Sequence, residues 1–443
     1  MAEQSAAPQP TVAPEFTDGE LDLPRAARTP IIKGGTRGAG TAEAAVPERV
    51  ERRGVLSMVD LPLVVMIVLL LAVGAMMIYS ATFDWSYQEY GSATFIFMQH
   101  LRNLIIGTLG MITLAAIDYR IWKRFAVLIL LATVGGLIAV LIFGDGTFGA
   151  RRAFSQGSYQ PGEVAELTIL IYMAAWLGSK RTKVASFAFG LIPFLMLLGI
   201  MVGLVALQPD LSTAATMIIT CGLMYFLAGA NITHLVSVIA LLGAGGIIFS
   251  TRLDYAANRL DSFVASITDL TQTNYHALQA IIAFRDGGWF GKGLGLGVQK
   301  FGALPSPHAD SIFAVIGEEL GVIGASLVVL LFVILIVRGL HIARRAPDAF
   351  GALLASGITI WIATKAMLNV ATMLSLIPST GVALPFISFG GSTLVTAMAG
   401  AGLLISISRM TARMNSPEGR GVSANYDRGW GNRWSRLSSP RNR

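Results

Sequence analysis

A short polar loop that leads directly into a membrane-length apolar segment carries the first candidate for chemistry. Its residues, Leu304-Pro-Ser-Pro-His-Ala-Asp310, place Asp310 at the edge of the membrane. A carboxylate there costs desolvation free energy unless it is paired, hydrated or used, so Asp310 is a candidate functional residue. It equally suits a helix N-cap, which accepts hydrogen bonds from free backbone N–H groups, and the two roles can coexist. Asp210, which follows Pro209, fits an N-cap without a further role.

Two adjacent arginines form a second candidate site. Arg151 and Arg152 are followed by Glu163 and Glu166, which lie one helical turn apart. Guanidinium groups bind phosphate in a bidentate manner and stay charged at any physiological pH, so the pair suits an anionic substrate. The alternative is an internal salt bridge from either arginine to Glu163.

A glycine-rich run from Gly287 to Gly297 contains Lys292 and is followed by Lys300. Repeated glycines permit positive φ angles, so successive backbone N–H groups could form an anion-binding nest to which both lysines add charge. A flexible turn is the alternative. The run lacks the Gly-Lys-Ser/Thr ending of a P-loop and has no preceding strand of a βαβ unit, which argues against ATP or NAD.

The last apolar segment has a broken entry between residues 378 and 393. It contains Pro378, Pro385, Ser388 and Ser392 together with an adjacent pair of glycines. Irregular backbone at membrane depth is tolerated only where it lines protein or a wet cavity, so this segment predicts a cavity. A close helix–helix contact at the Gly-Gly-Ser sequence is an equal alternative.

The elements that must position these residues are membrane helices. The chain has 443 residues, of which 54% are hydrophobic and only 13% charged, whereas soluble domains are about 25% charged. Apolar runs long enough to span roughly 30 Å of hydrocarbon begin near residues 61, 104, 125, 164, 185, 211, 235, 312, 352 and 384. We therefore predict an all-α polytopic membrane protein with about ten transmembrane helices. Cys221 is the only cysteine, which excludes a disulfide and a thiolate metal site.

Composition and charge divide the chain into three parts. Residues 1–54 are predicted to be a disordered cytoplasmic tail, residues 55–410 the ten-helix membrane domain, and residues 411–443 a basic cytoplasmic tail. Residues 251–309 are predicted to form a large extracellular loop between the seventh and eighth helices. Every second connection is basic, and Lys and Arg favour the cytoplasmic side, so both termini are predicted to be cytoplasmic. The extracellular placement of Arg151 and Arg152 is an exception that calls for a functional reason.

Several motifs, in order from about residue 58 to residue 410, resemble the FtsW/RodA/SpoVE family. They are Gly149-Ala-Arg-Arg152 with Gln160-Pro, Gln208-Pro-Asp210, Gly291-Lys-Gly-Leu-Gly295 with Gln299-Lys300, Leu304-Pro with His308-Ala-Asp310, Gly317-Glu-Glu-Leu-Gly321, Asn369, and Pro378 to Ser392. The Gln299-Lys300 pair and the Gly-Glu-Glu-Leu-Gly sequence look more like the division branch than the elongation branch. The chain departs from the family pattern at Ser306, where Glu is usual. It also has Glu166 where Lys is usual and Lys365 where Gln is usual, and these two charges could compensate each other.

The resemblance implies a peptidoglycan glycosyltransferase of the bacterial plasma membrane that polymerises lipid II during cell division or elongation. Such proteins work with a class B penicillin-binding transpeptidase and with other proteins of the division or elongation complex. Asp310 would be the general base for the acceptor hydroxyl. The predicted substrate-binding residues are Arg151, Arg152, Glu163, Lys292, Lys300, His308, Ser388 and Ser392.

No cofactor is required by these motifs, although a divalent cation, Mg or Mn, could bridge Asp310 and the diphosphate. Membrane lipids are expected to contact the protein, and no nucleic-acid partner is expected. Two other functions remain open from the residues alone. Intramembrane charges and broken helices also suit a flippase of lipid-linked precursors, and a non-catalytic scaffold for a transpeptidase is a third possibility.

Overall fold

The computed structural model describes residues 59–144, 160–179, 182–234, 236–238, 240, 263–264 and 275–415, and this part of the chain contains helices and no β-strand. The helices are α1 (Leu61–Tyr90), α2 (Phe95–Ala116), α3 (Arg120–Phe143), α4 (Pro161–Leu177), α5 (Ile192–Ala206), α6 (Leu211–Leu227), α7 (Tyr275–Gly287), α8 (Ile312–Arg345), α9 (Ala349–Met373) and α10 (Gly391–Asn415). A π-helical turn, Phe187–Leu191, leads into α5. Within the described residues, seven helices are long and apolar enough to cross a membrane: α1, α2, α3, the π-turn with α5, α8, α9 and α10. The protein is therefore an all-α, multi-pass membrane protein, as predicted.

The predicted segments near residues 61 to 211, 312, 352 and 384 all correspond to helices of the described part. Residues 1–54 lie outside the described residues, as do most of the segment predicted near residue 235, most of the C-terminal tail, and residues 251–262 and 265–274 of the predicted loop. The last segment begins at Gly391 and not near Leu384, because residues 374–390 form irregular backbone around two prolines. The described part of the loop also contains α7, a helix that the sequence analysis did not predict.

Burial separates central helices from lipid-facing ones. In α10, 78% of the most apolar window is buried inside the protein, and in α9 61%, against 22% in α2 and α3. Side chains such as Leu109 and Leu131 on α2 and α3 are more than half exposed, which suits contact with lipid. The central pair, α9 and α10, therefore provides the scaffold for the polar site described below.

Polar contacts join the helix ends. Asp348, the N-cap of α9, accepts hydrogen bonds from the Tyr119 hydroxyl at 2.6 Å, from Arg120 Nε at 3.0 Å and from the Gly351 N–H at 2.7 Å. Burial alone would raise the pKa of Asp348, but these hydrogen bonds and the positive charge of Arg120 hold it below its usual value. The connection between α2 and α3 is thus tied to the start of α9.

Helix α8 is broken at Gly321, whose φ of 71° is outside the helical region. The glycine-rich loop supplies the hydrogen bonds that the break removes. After the break, Val322 N donates to Gly288 O at 2.9 Å, and before it Lys292 N donates to Glu318 O at 3.0 Å. A side chain at position 321 would both strain this backbone and meet the loop. The short first part of α8, which follows Asp310, is therefore tied to the glycine-rich loop on both sides of the break.

Candidate active site

A cavity of about 700 Å³ lies where α4, α6, α9, the loop before α8 and residues 377–393 meet. Its described lining includes three carboxylates, Glu163, Asp210 and Asp310, together with Lys365 and Ser392. Residues 377–383 and 389–393 form one wall. The broken segment thus lines a cavity, the first of the two alternatives that the sequence left open.

Three helices begin at this cavity. The first residues of α4, α6 and α10 lie in or next to its wall. The first N–H groups of a helix have no intrahelical partner, and the helix dipole adds partial positive charge there, so helix N-termini attract anions. Asp210 caps α6 by accepting from Thr213 N at 3.1 Å, which confirms the predicted N-cap. The remaining N-termini favour an anionic group in the cavity.

Asp310 lies one residue before the N-cap of α8, which is Ser311. The alternative of Asp310 as the cap is therefore wrong, because α8 begins at Ile312, one residue later than that role requires. The Asp310 carboxylate faces the opposite wall: a Cβ atom on Gly381 would lie 3.7 Å from its Oδ2. The Asp310 side chain thus lines the cavity.

The backbone of the Asp310 loop is held by hydrogen bonds from two other segments. Asn369 Nδ2 donates to Asp310 O at 2.7 Å, Ser388 Oγ donates to Ala309 O at 2.6 Å, and Phe389 N donates to His308 O at 2.8 Å. These bonds join the loop to α9 and to the irregular segment before α10. Ser388 therefore positions the loop that carries Asp310. Ser392, in contrast, lines the cavity and accepts from the backbone of the residue before α4 at 3.2 Å.

Lys365 forms a buried ion-pair network at one wall of the cavity. Its Nζ lies 2.5 Å from Glu163 Oε2 and 2.7 Å from Glu166 Oε2. Trp361 Nε1 donates to Glu166 at 2.9 Å, and the Thr216 hydroxyl donates to its other oxygen. Lys365 and Glu166 thus compensate each other, as the sequence suggested. The alternative partners of Glu163, Arg151 and Arg152, lie outside the described residues.

The glycine-rich loop forms the predicted nest, but the anions that it binds belong to the chain itself. The N–H groups of Val298 and Gln299 donate to the Glu318 carboxylate at 2.8 and 3.1 Å, and Gly295 N donates to Glu319 at 3.0 Å. Both carboxylates are buried in the first part of α8. The nest therefore fixes the loop to the broken helix.

The two lysines of this region bind the same carboxylates. Lys292 Nζ lies 2.8 Å from Asp286 and 2.9 Å from Glu318, and Lys300 Nζ lies 2.6 Å from Glu319. Neither lysine lines the cavity that contains Asp310. Their assignment as phosphate ligands stays a prediction, whereas the structure shows them neutralising buried acids.

His308 and Lys300 line a second cavity, of about 390 Å³, on the other side of the Asp310 loop. The His308 ring stacks on Trp85, with centroids 4.7 Å apart. Burial lowers the pKa of His308 to about 4, so the ring is neutral at physiological pH. The sequence analysis missed the contribution of α1 to this cavity. The available signal was a polar residue at every fourth position, Ser80, Asp84 and Gln88, at the end of an apolar helix.

Within the described residues, no group of three or more His, Cys, Asp or Glu side chains could hold a metal ion. The fold and the cavity define a helical, multi-pass membrane protein in which helix N-termini, a positioned aspartate and an ion-paired lysine surround a polar chamber. Residues 61–413 match the family model FtsW/RodA/SpoVE, described as cell cycle proteins. The chain belongs to this family.

Relatives and solved structures agree with that membership. Stage V sporulation protein E of Bacillus subtilis (strain 168) is 36% identical over 356 residues, which cover 79% of this chain and 97% of the relative. A probable peptidoglycan glycosyltransferase FtsW of the same organism is 37% identical over 366 residues, which cover 79% of this chain and 90% of the relative. A chain of a peptidoglycan synthase complex matches with a TM-score of 0.66 at 24% identity, covering 80% of this chain and 98% of that one. The rod shape determining protein RodA of Thermus thermophilus matches with a TM-score of 0.58 at 24% identity, covering 79% and 97%. These two structures support the fold.

Proposed function

We propose that this protein is a peptidoglycan glycosyltransferase that polymerises lipid II, and that the cavity around Asp310 is its polymerisation site. The observation that carries the proposal is the placement of the Asp310 carboxylate in a polar cavity at which three helix N-termini converge. The names of the relatives support it, since FtsW of Bacillus subtilis is called a probable peptidoglycan glycosyltransferase.

In this proposal Asp310 is the general base. The 4-hydroxyl of the acceptor sugar attacks the anomeric carbon of the donor, Asp310 takes the hydroxyl proton, and the lipid diphosphate leaves with the electrons of the broken C–O bond. A carboxylate positioned by its backbone can take the proton in the transition state and lower the barrier. The hydrogen bonds from Asn369 and Ser388 to the loop provide this positioning.

The leaving diphosphate needs positive charge, and the cavity offers it from backbone as well as side chains. The N-termini of α4 and α10 point fixed dipoles at the space in front of Asp310, where they stabilise developing negative charge. Lys365 is paired with Glu163 and Glu166, so its charge is neutralised within the protein and its role is to hold this wall of the cavity. Arg151 and Arg152, outside the described residues, are proposed to add bidentate phosphate contacts. Both substrates lie in one membrane plane, which helps to bring the reacting groups together.

We further propose that both termini are cytoplasmic, that the cavity opens on the extracellular side, and that the protein acts in the bacterial plasma membrane with a class B penicillin-binding transpeptidase. The positive-inside pattern supports the orientation. The structural match to a peptidoglycan synthase complex supports the partner. Resemblance of the Gln299-Lys300 pair and of the Gly-Glu-Glu-Leu-Gly sequence to the division branch favours a role in division over one in elongation.

A flippase for the lipid-linked precursor is the second candidate, because the break in α8 at Gly321 and the irregular backbone before α10 resemble the discontinuous helices of transporters. The break is hydrogen-bonded to the glycine-rich loop on both sides, which favours a fixed element over a moving one. The two functions differ in one product, since only the glycosyltransferase makes a glycosidic bond.

The deciding experiment measures glycan polymer formed from lipid II by the purified protein with its transpeptidase partner. Asp310→Asn keeps the size and a side-chain oxygen but cannot accept the acceptor proton, so it should fold, bind the partner and make no polymer. Glu89→Gln is the matched control, because Glu89 is exposed and lies outside both cavities, so its loss should leave polymerisation close to wild type. Polymerisation by Asp310→Asn within a few-fold of wild type would require another base, and absence of polymer from the wild type would favour the flippase.

A further inference from the structure

The second cavity lies between the C-terminal end of α1 and the loop that carries His308. At 1.5 Å per residue, the 30 residues of α1 are about 45 Å long, more than the roughly 30 Å of hydrocarbon. Its last turns therefore project from the membrane on the side of the Asp310 loop. The volume of about 390 Å³ is within the range of small-molecule sites.

The lining of this cavity combines an aromatic ring with planar polar groups. Asp84 and Gln88 lie one turn apart on α1, and Gln88 Nε2 donates to Asp84 Oδ2 at 2.6 Å. Trp85, beside them, is 43% exposed. A carboxylate and an amide offer acceptors and donors for hydroxyl groups, while an indole face packs against the C–H face of a sugar ring. This combination suits a pyranose.

Charge in the cavity argues against a phosphate. The cation of the described lining, Lys300, lies 2.6 Å from Glu319, and its side chain is only 1% exposed. Its charge is therefore neutralised within the protein, and Asp84 adds a negative charge to the wall. A neutral, hydroxyl-rich ligand fits these walls better than a diphosphate does.

The two cavities share one wall. Ser306 lines both of them. An aromatic row also crosses between them: Trp85 stacks on His308 at 4.7 Å, and His308 meets Phe389 edge-on at 5.7 Å. Phe389 in turn lines the cavity of Asp310. A saccharide bound at Trp85 would thus be adjacent to the proposed reaction site.

A polymerising glycosyltransferase must hold two saccharides at once, and the cavity of Asp310, with its helix N-termini, suits the one that carries the leaving diphosphate. We infer that the second cavity is a saccharide-binding site in which Trp85, Asp84 and Gln88 hold sugar rings of peptidoglycan. This inference rests on the proposed function. The sugar rings have two sources, the growing glycan strand and the lipid-linked disaccharide, which the experiment separates.

The test measures binding without turnover, in the full-length Asp310→Asn protein. One probe is a soluble, uncrosslinked glycan fragment that carries no lipid, and the other is lipid II in detergent. Trp85→Ala should weaken binding about tenfold, the loss expected for an aromatic anchor, and Trp85→Phe should recover part of it. Tyr87→Ala is the matched control, because Tyr87 is a 63% exposed aromatic on the same helix that does not line the cavity.

Weaker binding of the fragment alone assigns the site to the growing strand, and weaker binding of lipid II alone assigns it to the lipid-linked disaccharide. The inference is overturned if Trp85→Ala binds both probes as tightly as Tyr87→Ala does. It is also overturned if Trp85→Phe has a native unfolding transition but binds the probes as weakly as a misfolded protein. Failure of the proposed function is recognised separately, since it would abolish polymer formation by the wild type while leaving fragment binding measurable.

Discussion

Replacement of Lys365 with Gln would leave two carboxylates facing each other inside the helix bundle. Lys365 is 2% exposed and Glu166 1%, so solvent screens their interaction little. Both ion pairs, at 2.5 and 2.7 Å, would be lost with one substitution. Removing one partner of a buried pair costs about 3–5 kcal/mol, because the remaining charge stays desolvated and uncompensated. Since the free energy of unfolding of a protein is only about 5–15 kcal/mol, we expect poor membrane yield and a strongly lowered unfolding temperature.

The assay is thermal unfolding of detergent-purified protein together with its yield in membranes. Lys123→Gln is the matched control: Lys123 is exposed, so its loss should change stability by no more than about 0.5 kcal/mol. The double variant Glu166→Lys, Lys365→Gln provides rescue, because it moves the lysine to α4, one turn from Glu163, as in the usual family pattern. The electrostatic argument is wrong if Lys365→Gln alone unfolds like wild type, or if the double variant is no more stable than the single one.

Three further outcomes are expected. Asp348→Asn should make stability depend less on pH at the acid end. Native contacts lower the pKa of Asp348, so its contribution to the free energy of unfolding is complete above the unfolded-state pKa of about 3.9 and is lost as pH falls through the native pKa. Unfolding measured from about pH 7 down to about pH 3 checks this, and parallel curves for the two proteins would contradict it. Gly321→Ala should cost about 1–3 kcal/mol because of its φ of 71°, whereas Gly110→Ala, with open space around it, should change thermal unfolding little. In intact cells, a membrane-impermeant thiol reagent should label Lys292→Cys and not Arg344→Cys, and the reverse pattern would invert the topology.

Much of the membrane architecture was predictable because a transmembrane helix is recognised by a local property, the length of its apolar run. Interrupted and short helices were harder to predict. The entry to α10 was recognised as irregular from its prolines and glycines, but the start of the helix was placed too early. Helix α7 went unpredicted because its sequence is short and only moderately apolar, so it resembles a loop when read without its packing partner.

The candidate residues show a similar division. An aspartate at the membrane edge and an anion-binding nest followed from residue types and spacing, and the compensating pair of charges followed from the departures from the family pattern. Residue types do not specify partners, however. Asp310 was a possible cap until the first residue of α8 was known, and the nest was a possible phosphate site until Glu318 and Glu319 were found in it.

The sequence by itself determined that this chain lies in a membrane as a set of helices, and which polar residues that environment makes costly. Only the tertiary structure decided which of those residues meet. Ser80 and Glu319 are 239 positions apart, and Lys365 and Glu163 are 202 apart, yet each pair is in hydrogen-bond contact. Such pairs depend on which helices pack together and at what depth, and that depends on the summed packing of the whole bundle. A local pattern predicts a helix and its exposed charges, whereas a binding site between helices exists only after they have assembled.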